Sequence, residues 1–209
     1  MVSLYQKPPK WFIDLKRRAK ALPASEVCKL HSGECNPAIV RMFVNSYFSP
    51  GDVIWEPFAG HMGKNKTIAI GLERGVRMIS YDISPCDPNV RKADSTEVGP
   101  EEEIRGVFFH PPYITSGAFS REPGEISLIH NPNQYLITLT KTVKLVDKNL
   151  NTGYTCVVGR TIVSGGVIHL EWVFTELFLP EFRVVKVYSS SPDWAVILER
   201  QKDETLSMT

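Results

Sequence analysis

One tetrapeptide in this chain has the residue types to hold and polarise an amino group: His110-Pro111-Pro112-Tyr113, directly after the apolar run Gly106-Val107-Phe108-Phe109. Two consecutive prolines fix the backbone and remove two amide donors, leaving carbonyl oxygens to accept hydrogen bonds from the amino group of a base. Tyr113 offers a face on which a flipped base stacks, an interaction worth about 1–3 kcal/mol. Neutral His110 adds one ring-nitrogen acceptor. The competing reading is an ordinary Pro-Pro turn with an aromatic neighbour, and the tetrapeptide alone does not remove it.

Three other features sit at the ends of apolar runs. The turn Glu56-Pro57-Phe58-Ala59-Gly60 follows Val53-Ile54-Trp55, and its small residues let the backbone approach a ligand with free amides pointing outward. Asp82 ends the run Arg77–Tyr81 and stands where a nucleotide-binding α/β domain carries the carboxylate that grips ribose hydroxyls. Asp94, with Ser95 after it, is placed to bind an adenine amino group. Taken singly these are a tight turn, a solvated strand cap and an exposed loop acid. Their shared position at strand ends is what gives them weight, because open α/β sheets bind ligands there.

The elements that must position them follow from pattern. A helix over residues 10–21 stops near Pro23, and Asn36-Pro37 caps a helix whose Ile39, Val40, Phe43, Val44 and Tyr47 recur at helical spacing. Ser49-Pro50-Gly51-Asp52 turns the chain into the strand at Val53. A helix spans about Lys66 to Arg74, stopped by Gly75, and another Gln134 to Val146. Strands are expected at Arg77–Tyr81, Gly106–Phe109 and Tyr154–Val158. Beyond a Gly165-Gly166 loop come a helix from His169 to Leu179 and an antiparallel hairpin, Arg183–Tyr188 with Trp194–Leu198, closing the sheet edge. Strand, turn, helix, strand is the order of a parallel sheet with crossover helices. Residues 114–132, rich in Ser, Gly and Pro, form a long loop and a candidate lid.

Length and composition fit one core: 209 residues, 43% hydrophobic. The expected organisation is a basic arm over residues 1–25, a single domain over 26–200 and a loose tail over 201–209. Twenty-four basic against 23 acidic residues leave no global field, so a nucleic-acid surface must be local. Its candidates are Lys7, Lys10, Lys16, Arg17, Arg18 and Lys20 on the arm, with Lys64 and Lys66 near the turn. No metal site is expected, since Cys28, His31 and Cys35 lack a fourth ligand. Absence of a long apolar run makes a cytoplasmic location, away from membranes, the expectation. Gly60 and Gly63 are two residues apart where a P-loop needs four.

In this order the motifs resemble the DNA amino-methyltransferases of the adenine-N6 and cytosine-N4 type, with a class I Rossmann-like fold. Glu56 to Gly60 is similar to that family's D-P-F-A-G turn, and His110 to Tyr113 to its (D/N/S)-P-P-Y motif. Ser127-Leu128, Asn133-Gln134-Tyr135 and Val157-Val158-Gly159-Arg160 resemble phage-type and prophage-type DNA methylases with a variable residue before P-P-Y. The likeness runs over residues 31 to 200. Two departures stand out: Glu56 and His110 replace the usual residues, and His61-Met62-Gly63-Lys64 replaces S-G-T-T, one residue out of register.

The resemblance implies a mostly parallel central sheet with an antiparallel C-terminal hairpin and helices on both faces. It implies S-adenosylmethionine as cofactor, with Phe58, Ala59 and Gly60 along the methionine and ribose, and Glu56 in the same turn. Asp82 would take the ribose hydroxyls, Ile83 and Asp94 the adenine with Ser95 beside them, and His31, Ser32 and Gly33 the carboxylate. His110 and the Pro111 carbonyl would accept the protons of the target amine, beside Pro112 and Tyr113. An unperturbed histidine is mostly neutral above about pH 6.5, so activity should fall as pH drops through that range. The partner implied is DNA, its base flipped or single-stranded, with a homodimer or separate recognition subunit as further expectations. The stretch His31-Ser32-Gly33, Asn36-Pro37, Arg41, Val44-Asn45 also resembles tRNA guanine amino-methyltransferases. A further alternative is a methyltransferase-fold binding subunit without catalysis.

Overall fold

The computed structural model describes residues 2–23, 35–60, 66–114, 120, 122–163, 166–179 and 181–201. The basic N-terminal stretch packs onto the body. Helix α1 (Lys10–Arg17) buries Phe12 completely, and Leu4 ahead of it is buried in the same core. The helix expected to reach Ala21 ends at Arg17, because Lys20 and Ala21 form a short strand β1 parallel to Tyr188 and Ser189.

Helix α2 (Pro37–Tyr47) starts as its sequence dictates. The Asn36 side chain accepts from the Ala38 amide at 2.9 Å, and Pro37 sits where its missing N–H costs nothing. Strands β2 (Val53–Glu56) and β3 (Arg77–Asp82) pair in parallel, joined by a crossover that contains helix α3 (Lys66–Glu73). Gly75, with φ of 69°, supplies the left-handed residue that ends α3. The short strand β4 (Arg91–Lys92) pairs with the end of β3.

Strand β5 (Gly106–Phe109) lies on the other side of β2, parallel to it, with all four residues buried. Helix α4 (Pro132–Asn149) begins two residues earlier than expected, because Asn131 caps it by accepting from the Asn133 and Gln134 amides. Strand β6 (Tyr154–Val163) is ten residues long, twice the expected length. Its far half pairs with β7 (Val167–His169), so helix α5 (Leu170–Phe178) starts after His169 rather than on it. Strands β8 (Phe182–Ser190) and β9 (Asp193–Arg200) make the expected antiparallel hairpin.

Across the sheet the order is β1-β8-β9-β6-β5-β2-β3-β4. The hairpin does not close the edge as anticipated: β9 is inserted between β6 and β8, and β1 forms the edge. Pairings from β4 to β6 are all parallel. One core cluster joins α1, α4 and α5 to one sheet face, and a second joins α2 and α3 to the other. Among the described residues no helix is long and apolar enough to cross a membrane.

The α5 N-terminus rests on β6 at Gly159, where a Cβ would lie 2.6 Å from the Glu171 nitrogen. Gly159→Ala should therefore destabilise the fold by about 1–3 kcal/mol, the usual cost of overpacking. Urea unfolding reads this as a lowered midpoint at unchanged slope.

Candidate active site

The strand order reverses between β2 and β5, the only place in the parallel part of the sheet where successive loops leave in opposite directions. Ligands of open α/β sheets bind in the crevice such a switch point opens at the carboxyl ends of the strands. Glu56, Asp82 and His110 stand at the ends of β2, β3 and β5 and flank it.

At the end of β2, Glu56 turns inward. It is 4% exposed and accepts from Thr67 Oγ1 at 2.5 Å and Ser80 Oγ at 2.6 Å, joining β2 to α3 and β3. Its place in the expected cofactor set is thus one of shaping the turn. Not all of the turn's amides are free: the Ala59 N–H donates to the Tyr81 carbonyl at 2.8 Å. Phe58 packs edge-on to Phe109 at 5.5 Å. Gly60 has φ of 86°, and a Cβ there would meet nothing within 4 Å. Backbone conformation, not crowding, requires glycine at that position.

Asp82 and Asp94 are half-buried and held close together, since the Ala93 amide donates to the Asp82 carbonyl at 3.0 Å. Each carboxylate caps its own turn, Asp82 from the Ser84 amide at 2.7 Å and Asp94 from the Thr96 amide at 2.8 Å. Ser95 is buried and donates to the Pro57 carbonyl, which ties this loop to the glycine turn and removes Ser95 from the set facing a ligand. The long loop after Tyr113 returns over the same place. Gly124, with φ of 92°, comes so near that a Cβ would lie 3.1 Å from both Asp94 Oδ2 and the Ile83 Cδ1. Lys92 and Glu122 pair at 3.1 Å beside it.

At the end of β5 the P-P-Y turn is clamped. The Pro112 carbonyl accepts from the Tyr135 hydroxyl of α4 at 2.8 Å, leaving the Pro111 carbonyl without a hydrogen bond among the described residues. Tyr113 is 7% exposed, stacked on Phe174 of α5 at 6.2 Å, with the Arg160 guanidinium 5.0 Å from its ring centre. The open stacking face expected from the sequence is covered in this arrangement, because α5 and β6 close over it. A base can lie on Tyr113 only if that ring or Arg160 moves.

The residues that sequence reasoning missed surround this turn. Asp193, at the start of β9, is opposite Arg160 in the β6–β9 pairing and 1% exposed. Arg160 Nε donates to Asp193 Oδ1 at 2.9 Å, and the Tyr113 hydroxyl donates to the same oxygen at 3.3 Å. His110 Nε2 is 3.2 Å from that hydroxyl. Asp193 Oδ2 is buried with no partner among the described residues. The only local cue was an acid closing the hairpin turn Ser191-Pro192-Asp193, which reads as ordinary turn chemistry.

The carboxylate-binding candidates His31, Ser32 and Gly33 lie outside the described residues, as do His61 to Lys64. Cys35, just after the first group, is near enough to Asp193 and Glu56 to feel both charges, and burial foremost pushes its thiol well above the usual range. Of the basic candidates, Lys16 is committed to buried Glu171 and sits 4.0 Å over the Trp194 ring. Lys7, Lys10, Arg17, Arg18, Lys20 and Lys66 are exposed, with Arg17 paired to Asp14 at 3.3 Å. Among the described residues no cluster of His, Cys, Asp and Glu could hold a metal ion.

No family model matches the chain, and no curated protein matches it. Solved structures match its fold. A Burkholderia thailandensis 1,6-didemethyltoxoflavin-N1-methyltransferase, solved with 1,6-didemethyltoxoflavin and S-adenosylhomocysteine, superposes with TM-score 0.50 at 14% identity, over 80% of this chain and 76% of that one. The protein PH0851 superposes with TM-score 0.54 at 13% identity, over 94% of this chain and 58% of that one. Strand order and superposition together define the Rossmann-like fold of class I methyltransferases. At such identities the likeness is one of fold.

Burial holds the His110 imidazole at about 4 rather than 6.5; Asp193 opposes this and Arg160 reinforces it. The ring is neutral well below the range the sequence implied, so the expected loss of activity through pH 6.5 is corrected to a loss nearer 4. Between the two values the unfolded chain binds a proton that the folded chain does not. His110 should therefore lower stability as pH falls from 6.5 to about 4 and add no further dependence below that. Thermal melts of wild type and His110→Gln across this window should show the wild type losing Tm faster; parallel curves would contradict the buried neutral ring.

Proposed function

We propose that the chain transfers a methyl group from S-adenosylmethionine to the exocyclic amino nitrogen of adenine or cytosine in DNA. The observation that carries this reading is the convergence, at one switch point, of a left-handed glycine turn, two adjacent carboxylates and a P-P-Y turn with a neutral acceptor. The residues present fit the cofactor. Asp82 would bind the ribose hydroxyls and Asp94 the adenine amino group beside Ile83, with the loop at Gly124, which packs against Ile83 and Asp94, withdrawing to admit the ring. Gly60 would let the backbone run beside the methionine portion. S-adenosylhomocysteine, bound in the toxoflavin methyltransferase structure, supports the choice of cofactor.

S-adenosylmethionine supplies an electrophilic methyl group. The lone pair of an exocyclic amine is delocalised into its ring, so the chain must draw the amine protons out of the ring plane. The Pro111 carbonyl and His110 would accept hydrogen bonds from those two N–H groups, and clamping of the turn by Tyr135 holds both acceptors in place before substrate arrives. A base within a duplex cannot reach this turn, so it must be flipped or single-stranded. Lys7, Lys10, Arg18 and Lys20 would meet the phosphates, giving binding that weakens as salt rises.

Isothermal titration should detect S-adenosylmethionine binding to the wild type, weakened about tenfold or more in Asp82→Ala, a loss within the range for hydrogen bonds to a charged group. Binding without that loss would remove the ribose assignment. Incubation with labelled cofactor and DNA, followed by nucleoside mass spectrometry, should give methylated adenine or cytosine. Label in guanine of tRNA instead would move the substrate to RNA, and cofactor binding with no label in either would leave a binding subunit. His110→Ala should lower transfer to DNA by about 10²-fold, the scale of losing a positioned acceptor.

A further inference from the structure

We infer that Asp193 sets the tautomer of His110 through the Tyr113 hydroxyl, leaving His110 Nδ1 as the acceptor presented to the substrate; that the substrate is an amine rests on the function proposed above. Asp193 does this as a positioning residue, acting through Tyr113.

A tyrosine hydroxyl has one proton to give and two lone pairs to receive. Two polar atoms lie within hydrogen-bond reach of that of Tyr113, Asp193 Oδ1 at 3.3 Å and His110 Nε2 at 3.2 Å, while the Arg160 guanidinium lies over the ring, 5.0 Å from its centre. Asp193 is ion-paired to Arg160 at 2.9 Å, and a carboxylate can only accept. The hydroxyl proton therefore points to Oδ1. The oxygen lone pairs are then open to a donor, and His110 Nε2–H at 3.2 Å is placed to supply it. Were the hydroxyl to donate to His110 instead, its lone pairs would face those of the carboxylate at 3.3 Å with no proton between them, in a site where water does not screen the repulsion.

A neutral imidazole protonated at Nε2 carries its lone pair on Nδ1. Among the described residues Nδ1 makes no hydrogen bond. It is thus a preorganised acceptor with its direction fixed from behind. The burial of Asp193 supports a role beyond stability. Its Oδ2 is buried and has no hydrogen-bond partner among the described residues, which is costly for a carboxylate. The β6–β9 pairing nonetheless sets it directly across from Arg160.

Imidazole ¹⁵N-labelled protein, studied by long-range ¹H–¹⁵N correlation at neutral pH without any methyl donor, reads the tautomer directly. The wild type should show His110 protonated at Nε2; protonation mainly at Nδ1 overturns the inference. Asp193→Asn, whose oxygen still accepts, should keep the Nε2–H form. Asp193→Ala should release the hydroxyl proton towards His110 and move the ring to the Nδ1–H form, with transfer falling about tenfold or more. A folded Asp193→Ala that keeps the wild-type tautomer overturns the role of Asp193. Should that variant not fold, Tyr113→Phe decides: loss of tautomer preference supports the relay, and an unchanged Nε2–H form overturns it. A protein with the expected tautomer that methylates nothing would remove the proposed function and leave the Asp193 assignment standing.

Discussion

The parallel pairing of β2 with β5 is the constraint on which the functional end depends. From β2 the chain leaves through α3 to build β3 and β4 on one side, and from β5 it leaves through α4 to build β6 on the other. The two sets of loops part above that pair, and the crevice between them is a consequence of connectivity. The pairing needs Gly106, because a Cβ there would strike the Phe48 ring, 2.3 Å from its Cζ. A residue with no side chain thus lets an aromatic ring tuck under the strand while the backbone ladder from Ile54 and Trp55 to Gly106 and Val107 stays intact.

Two buried carboxylates then fix what stands on either side of the crevice, and they differ in kind. Glu56 is a bracket: two hydroxyls, one from α3 and one from β3, meet its carboxylate. Its extra methylene, compared with the aspartate usual in the resembling motif, gives the reach to do so from the strand end. Asp193 is less well served, with one oxygen holding both Arg160 and Tyr113 and the other unpaired among the described residues. A buried carboxylate paired through one oxygen only is costly to keep, and it sits behind the one histidine of the P-P-Y turn. Stability alone gives no reason for that arrangement.

Much of this was legible in the sequence where local chemistry decides the outcome. Asn36-Pro37 announced α2, and Gly75 announced the end of α3; the same Asn-Pro signature at Asn131-Pro132 carries the start of α4 and follows the same rule. Strand ends at Glu56, Asp82 and Phe109 fell where apolar runs met turn residues. What the sequence did not disclose depends on partners far along the chain. Lys20 and Ala21 have helical composition but pair with β8. The second half of β6, Arg160 to Val163, reads as a loop until β7 folds back against it. Tyr113 reads as an open aromatic face until Phe174 and Arg160 cover it. Asp193 reads as a turn residue until β6 brings Arg160 across from it. Each of these is a tertiary override of a reasonable local preference.

Strand β1 carries a consequence for the order in which the molecule can be completed. It lies at the outer edge of the sheet, bound to β8, so residue 20 finds its partner only at residue 188. Strand β1 can dock only after β8 is in place. Until then β8 has a bare edge, and Phe12 and Trp172, 4.9 Å apart in the finished fold, have no cover from each other. Closure of the sheet at this edge is thus a contact between segments far apart in sequence, of the kind that slows folding and leaves unpaired edges open to other molecules in the interval.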